Sequence, residues 1–205
     1  MYANLSVLSY YWYCTVLSVS PSSGNTPIRT RVSCNPQGDF IFQTVHNDIQ
    51  KTGGSSFLTE FEFDPTSDSG AQQNYFVMNK CDQYFQSWTV WGASFIDSSG
   101  NILYNILSQF NRPYAYAIAG TPHLMFYDRN HTRCFTLKYI IDLTINCPSQ
   151  IYLPEIIYPR PNGYNITLTC GLESSVNLDD SNLIDIYTTN LTPNGYMRIV
   201  NIRPC

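Results

Sequence analysis

The chain has 205 residues, 43% of them hydrophobic, and a formal net charge of −4. This length and this hydrophobic content are enough for a sizeable core, and they exclude a disordered tail. The negative charge argues against a nucleic-acid-binding protein, because neutralising phosphates requires a basic surface. No nucleic-acid partner is therefore predicted.

The composition favours β-structure. Charged residues make up only 13% of the chain, whereas there are 16 Tyr and 11 Phe residues. Tyr and Phe suit pleated, half-buried strands, and the abundant Asn, Ser, Gly and Pro suit turns. The predicted fold class is therefore all-β: an antiparallel β-sandwich or jelly-roll-like fold, stabilised by disulfides.

The first predicted element is an apolar N-terminal strand within residues 1–20. Its run from Leu5 to Val19 is apolar on both faces, which is typical of a strand covered on both sides. A secretory signal and a transmembrane helix both fit this run poorly, because it lacks an N-terminal basic residue and is interrupted by serines. No membrane span is predicted. The strand either completes its own sheet or inserts into a neighbouring subunit.

The remaining residues, 21–205, are predicted to form a single β-sandwich-like domain of short strands separated by turn signals. The alternative is a domain boundary in the proline-rich stretch from Pro148 to Pro161. The longer segments Ser67–Gln73 and Leu172–Ser181 are predicted to be loops. The predicted strands are Ile28–Ser33, Asp39–His46, Ser56–Asp64, Asn74–Asn79, Tyr84–Ile96, Asn101–Phe110, Tyr114–Ala119, Leu124–Tyr127, Arg133–Asn146, Ile151–Tyr158, Tyr164–Cys170, Leu183–Thr188 and Gly195–Ile202.

Seven cysteines are spread widely along the chain without any CxxC pair, which disfavours a zinc ribbon and favours long-range disulfides. Spacing does not determine the pairing, and an odd count leaves one cysteine unpaired or bonded to another chain. Cys14 and Cys205 are the candidates for that role. The near-neighbour hypothesis pairs Cys34 with Cys81, Cys134 with Cys147, and Cys170 with Cys205.

Four N-x-[ST] sequons are predicted glycosylation sites, at Asn4, Asn130, Asn165 and Asn190. Together with the cysteines they predict an extracellular or cell- or virion-surface location. Because Asn, Ser and Thr are common in this chain, about three such sequons are expected by chance for this motif. The disulfide argument therefore contributes more to the prediction of location.

The segment FLTEFEFD carries the candidate catalytic chemistry. On a strand, Glu60, Glu62 and Asp64 share one face while Phe61 and Phe63 point to the core. Neighbouring same-face carboxyls can approach the separation of about 5–5.5 Å that retaining glycosidases use. Glu60 and Glu62 are thus a candidate catalytic pair, and the three acids together are a weaker candidate calcium site. The alternative is an ordinary solvent-exposed strand face. No cofactor is predicted.

Aromatic residues are more numerous than one core requires. Tyr and Trp are typical of protein interfaces and of sugar-stacking platforms. The candidate binding residues are Tyr11, Trp12, Tyr13, Trp88 and Trp91.

From these features the sequence predicts a non-enzymatic interaction or assembly module that contacts other protein chains, with self-assembly through residues 1–20. Two alternatives remain: a carbohydrate-binding β-sandwich, and a glycan-active hydrolase that uses Glu60 and Glu62. Glycans are the predicted partners in both alternatives.

Overall fold

The structure, a computed structural model, describes residues 6–14, 27–92, 95–160 and 163–205, with main-chain placement only for residues 27–31. The chain divides into two compact units, Met1–Phe110 and Asn111–Cys205. This division differs from the predicted one, because the N-terminal strand is grouped with the residues up to Phe110 rather than standing apart from them.

The first unit contains parallel strands joined by helices. Its sheet has the order β1-β2-β3, and both strand pairs are parallel. Parallel neighbours need a long crossover connection, which α1 and α2 supply. The elements are β1 (Val7–Tyr11), α1 (Pro27–Thr52), β2 (Ser55–Glu60), α2 (Asp68–Gln83), β3 (Ser87–Trp88) and α3 (Tyr104–Phe110).

Several strands predicted in this unit are wrong. Residues 28–33 and 39–46 lie in α1, residues 74–79 lie in α2, and α3 covers the C-terminal part of 101–110. In α1 the buried side chains of Cys34, Phe42 and Val45 recur at helical spacing and form one face. Packing of that face against the sheet overrides the strand preference of the individual residues. Among the described residues of the predicted strand 84–96, which exclude 93 and 94, only Ser87–Trp88 forms a strand.

The start of α2 has a local cause. The hydroxyl oxygen of Ser67 accepts a hydrogen bond of 3.1 Å from the backbone N–H of Gly70 and so caps the helix. Gly70 is required, because a Cβ atom there would lie 2.0 Å from the carbonyl oxygen of Asp64. The predicted loop 67–73 is therefore mostly the first turns of a helix.

The core of the first unit lies between the helices and the sheet. Leu58 of β2 is fully buried, and so are Phe61, which directly follows β2, and Phe42 of α1. The Trp12 ring packs against Phe42 and Phe63 at centroid distances of 6.2 and 5.5 Å. Burial of these large aromatic groups stabilises this unit.

A disulfide between Cys14 and Cys34 ties the segment after β1 to α1, with 5.4 Å between the Cα atoms. The predicted Cys34–Cys81 pair is therefore wrong: docking of β1 brings Cys14 beside α1, while Cys81 is buried in the core and forms no disulfide. Cys134, Cys147, Cys170 and Cys205 are free thiols in the structure, so the other two predicted pairs are not formed.

The second unit is a β-sandwich of two four-stranded antiparallel sheets, with the orders β4-β7-β10-β9 and β5-β6-β11-β8. The prediction of an antiparallel β-sandwich protein that carries a disulfide is confirmed. The strands are β4 (Tyr114–Ala117), β5 (Gly120–Tyr127), β6 (Phe135–Ile141), β7 (Ser149–Tyr152), β8 (Tyr164–Leu168), β9 (Leu172–Val176), β10 (Leu183–Thr188) and β11 (Met197–Pro204).

Alternation of side chains builds the sandwich core. Phe135, Leu137, Tyr139 and Ile141 of β6 are buried, and the residues between them are partly exposed. β9 was missed, because its sequence LESSV lies in the segment 172–181 that is predicted to be a loop. Its pairing with β10 rather than its own hydrophobicity makes it a strand.

The β5–β6 turn is held by a carboxylate. Asp128 accepts hydrogen bonds from the hydroxyl and the backbone N–H of Thr132, at 2.8 and 3.0 Å, and lies 3.1 Å from Nδ1 of His131. These hydrogen bonds favour the charged form and lower the pKa of Asp128 to about 2.

Removal of the disulfide should destabilise the chain. The double variant Cys14→Ser/Cys34→Ser is expected to lose about 2–4 kcal/mol of unfolding free energy, because the unfolded chain is no longer constrained. Chemical denaturation followed by fluorescence measures this loss. Cys147→Ser, at an exposed free thiol, is the control and should change little. Equal stability of the double variant and the wild type would show that the bond does not form.

Protonation of Asp128 should weaken the fold in acid. Because its pKa in the folded state lies below the unfolded value of about 3.9, the carboxylate contributes stability above that pH. This contribution is lost as the pH falls towards 2. The stability difference between wild type and Asp128→Asn should therefore be largest above about pH 4 and shrink in acid. Acid denaturation curves test this, with Glu155→Gln as the control, and a pH-independent difference would contradict it.

Candidate functional site

The candidate site lies at the C-terminal edge of the parallel sheet in the first unit. Tyr13 follows β1, Glu60 is the last residue of β2, and Trp91 follows β3. In register, Tyr11 of β1 lies opposite Glu60, and the backbone N–H of Trp91 donates to the carbonyl oxygen of Phe61 at 3.0 Å. The C-terminal edge of parallel strands is where active sites of α/β proteins form.

Tyr13 and Glu60 form the central contact of this edge. The Tyr13 hydroxyl donates a hydrogen bond of 2.8 Å to Oε1 of Glu60. Burial, this hydrogen bond and the charges of Glu60 and Glu62 all raise the pKa of Tyr13. Tyr13 therefore stays a neutral donor at physiological pH and fixes one carboxylate oxygen of Glu60.

Glu62 occupies a second position at the same edge, and its carboxylate lies against Gly92. A Cβ atom on Gly92 would be 2.6 Å from Oε2 of Glu62, and Gly92 has a φ of +90°. Both the space and the backbone conformation therefore require glycine there. Glu60 and Glu62 thus have different surroundings, a tyrosine hydroxyl for the former and a glycine turn for the latter.

A buried amide fixes the backbone that follows these acids. Asn74 of α2 is fully buried; its Nδ2 donates to the carbonyl oxygen of Phe63 at 2.8 Å, and its Oδ1 accepts from the Phe63 N–H at 3.0 Å. Since Phe61 and Phe63 are buried, the alternation proposed for FLTEFEFD is present. The carboxylate of Asp64 does not take part in this contact; its Oδ1 accepts a hydrogen bond of 2.6 Å from the hydroxyl of Thr66.

The candidate aromatic residues do not form one platform. Trp12 is buried in the core, which corrects its assignment as a binding residue, and Trp88 packs on Phe61 with centroids 5.7 Å apart. Tyr11 and Trp91 are exposed, at 70% and 61%. Tyr11 lies 6.4 Å from the Tyr13 ring, so these two and Trp91 are the candidates left at this edge.

The contact between Tyr13 and Glu60 was not predicted from the sequence. A usable signal existed in the sequence, because the apolar runs VLSYY and FLTE are separated by a long segment in which Cys34, Phe42 and Val45 recur at helical spacing. This is the pattern of a β-α-β unit. Within the described ranges, no group of three His, Cys, Asp or Glu side chains converges as a metal site. The calcium hypothesis for Glu60, Glu62 and Asp64 thus gains no support.

Among the described residues, no helix has the length and apolar character needed to cross a membrane.

Comparisons with known proteins connect the chain to glycoside hydrolases. The model of the glycoside hydrolase family 5 C-terminal domain matches residues 112–202, which is most of the sandwich unit. No curated protein matches the chain significantly in sequence.

Solved structures share the fold of the chain. Endo-glycoceramidase II from Rhodococcus sp. in its ganglioside GM3 complex matches 97% of this chain and 42% of its own, with a TM-score of 0.75 and 18% identity. Its lactosyl-enzyme intermediate matches the same shares with a TM-score of 0.71 and 19% identity. Sterylglucosidase 1 from Cryptococcus neoformans matches 86% of this chain and 33% of its own, with a TM-score of 0.62 and 13% identity.

The chain therefore spans about two fifths of the length of the endo-glycoceramidase structures it matches. These findings overturn the prediction of a non-enzymatic assembly module that acts through protein–protein contacts, and with it the prediction that the chain has no enzymatic association. They favour the alternative of a glycan-active hydrolase. The comparisons do not support the predicted binding of other protein chains.

Loss of the Glu60 charge should change the titration of Tyr13. In Glu60→Gln the pKa of Tyr13 is expected to fall towards its ordinary value, because both the charge and the ionic acceptor disappear. Tyrosine absorbance or NMR of ring-labelled tyrosine measures the shift, with Glu155→Gln as the control. An unchanged Tyr13 titration would show that the two groups are not in contact.

Proposed function

We propose that this chain carries the nucleophile of a retaining glycoside hydrolase that acts on a glycolipid. The carrying observation is the carboxylate of Glu60, fixed by the Tyr13 hydroxyl at 2.8 Å at the C-terminal end of the central parallel strand. Retaining enzymes need such an oriented carboxylate to attack the sugar and form a glycosyl ester. One similar structure is described as a lactosyl-enzyme intermediate, which supports this class of mechanism.

The proposed role of each group follows from its contacts. Tyr13 occupies one oxygen of Glu60 and leaves the other free of that bond to attack the anomeric carbon. The bond between this carbon and the leaving oxygen breaks, and a proton donor protonates that oxygen. Water then cleaves the ester and restores Glu60. Trp91, exposed at the same edge, supplies an aromatic face on which a sugar ring can stack.

A second carboxylate is needed as the proton donor, about 5–5.5 Å from the nucleophile. We infer that it comes from further strands that complete the sheet. In the described part of the chain, the edge strand β1 has an uncovered side, with Val7 and Tyr11 exposed at 57% and 70%. Parallel sheets are normally covered on both faces. The greater length of the similar enzymes fits this inference.

The glycolipid class of substrate is supported by the names of the similar structures. One is an endo-glycoceramidase bound to a ganglioside, and another is a sterylglucosidase. Both names join a sugar to a lipid, although the two lipids differ. The feature that they share is the sugar–lipid bond, which is the proposed point of cleavage.

We also propose that the protein functions in a secretory or extracellular compartment. The Cys14–Cys34 disulfide supports this, because such bonds persist under oxidising conditions. The predicted glycosylation sites Asn130, Asn165 and Asn190 are exposed, and Asn4 lies outside the described residues.

Replacement of Glu60 should abolish hydrolysis. When it is introduced into the full-length natural protein, Glu60→Gln is expected to lower kcat on fluorogenic β-glycosides and glycolipids roughly a thousandfold or more. Labelling with a 2-deoxy-2-fluoroglycoside followed by peptide mass spectrometry should locate the sugar on Glu60.

Glu62→Gln is the matched control, with the same charge change two residues away. It should retain covalent labelling of Glu60, because the hydrogen bond that orients Glu60 comes from the Tyr13 hydroxyl and does not involve Glu62. A label found on another carboxylate, or full activity of Glu60→Gln, would rule out the proposed role.

A further inference from the structure

The sandwich unit has an outer face that the proposed catalytic site does not use. It belongs to the sheet β4-β7-β10-β9. Ile184, Ile186 and Ile151 of this sheet point to the core and are buried. Because side chains alternate along a strand, Asp185, and Gln150 paired with it on β7, lie on the opposite face.

A carboxylate that is only 5% exposed lies at the centre of this face. Oδ1 of Asp185 accepts from Nε2 of Gln150 at 2.9 Å. Asn177 donates to both oxygens, at 3.2 and 3.0 Å, and the Tyr187 hydroxyl donates to Oδ2 at 3.2 Å. The carboxylate is thus satisfied by neutral donors, which offsets much of the cost of its burial.

Hydrogen bonds also fix the orientation of the side chains that surround Asp185. Oδ1 of Asn177 accepts from the backbone N–H groups of Asp179 and Asp180, at 2.9 and 3.0 Å. Because Nε2 of Gln150 is engaged by Asp185, its amide oxygen is turned away from the carboxylate and can accept from a hydroxyl group. Polar groups held in one orientation bind a hydroxylated ligand without a further ordering cost.

Aromatic rings flank this network. Tyr114 of β4 pairs with Tyr152 of β7, and their rings stack with centroids 5.1 Å apart and an interplanar angle of 29°. Tyr114 is 37% exposed and Tyr187 is 44% exposed. The two strand spacings from β4 to β10 cover about 10 Å. This span exceeds one sugar ring and suits a short oligosaccharide.

Charge selects among ligands for this face. The strands YAYA, SQIY, LESSV and LIDIYT contain no Lys, Arg or His, and they contain two acids, Glu173 and Asp185. An acidic sugar, a phosphate or an anionic lipid surface would therefore find no cation on these strands. A polar network at the centre is also unlike a protein interface, whose centre is apolar and depleted of charge.

We propose that this face, with Tyr114, Tyr152, Gln150 and Asp185 at its centre, binds a neutral oligosaccharide. The rings supply stacking surfaces for the C–H faces of sugars, and Gln150 binds a sugar hydroxyl. Asp185 orients Gln150 and is a positioning residue. The site belongs to the sandwich unit, whereas Glu60 belongs to the first unit, and it would hold the protein on a glycan-bearing substrate.

Titration of the full chain with lactose and cellotetraose, followed by amide NMR and calorimetry, tests the proposal. At least one sugar should bind saturably. Tyr114→Ala and Gln150→Leu should each weaken that binding at least tenfold, while Tyr196→Ala, an exposed tyrosine next to the other sheet, should not. Circular dichroism checks folding, and Gln150→Leu keeps the test valid where Tyr114→Ala does not fold.

The outcomes separate this site from the catalytic proposal. Binding should survive Glu60→Gln, and hydrolysis of a soluble substrate should survive Gln150→Leu. Absence of saturable binding to both sugars, or binding that both face variants leave unchanged, overturns the site. Tighter binding of sialyllactose than of lactose overturns the neutral class. If the chain binds no sugar but self-associates, and Tyr114→Ala abolishes that self-association, the face binds a second copy of the chain instead.

Discussion

The parallel pairing of β1 with β2 is the constraint on which the first unit depends. It sets Tyr11 opposite Glu60 and so carries Tyr13 to within 2.8 Å of the Glu60 carboxylate. The same pairing places Trp12 in the core and Cys14 beside Cys34. A shift of one residue would exchange the faces of Trp12 and Tyr13, burying the hydroxyl and exposing the indole. Core packing therefore enforces the register that the proposed site needs.

The segment after β2 is held from several sides, as an oriented nucleophile requires. Asn74 binds both backbone groups of Phe63, Phe61 is fully buried, and Gly92 leaves space for the carboxylate of Glu62. Such support limits the movement of a reacting group, and small displacements of reacting groups reduce rates strongly. The proposed chemistry thus rests on the packing of α2 and on the turn after β3 as much as on Glu60.

The sandwich unit carries a different kind of chemistry. Its inner faces are formed by alternating apolar side chains, and its two sheets differ in charge. One contains Lys138, Arg198 and Arg203, whereas the other contains no basic side chain in its strands. On the latter, Asp185 can stay buried because neutral donors surround it. A fixed polar centre between aromatic rings results, and this combination suits sugars better than proteins or anions.

The sequence by itself determined the β-sandwich, because period-two alternation is a local property that β6 shows plainly. It also determined the alternation around Glu60. Only the tertiary structure decided that residues 28–46 are helical, since the apolar side chains from Cys34 to Val45 tolerate both periods until a sheet packs against them. The Cys14–Cys34 bond, the Tyr13–Glu60 contact and the Asp185 network join residues 20, 47 and 35 positions apart. Such contacts depend on which strands become neighbours, and local patterns do not encode that choice.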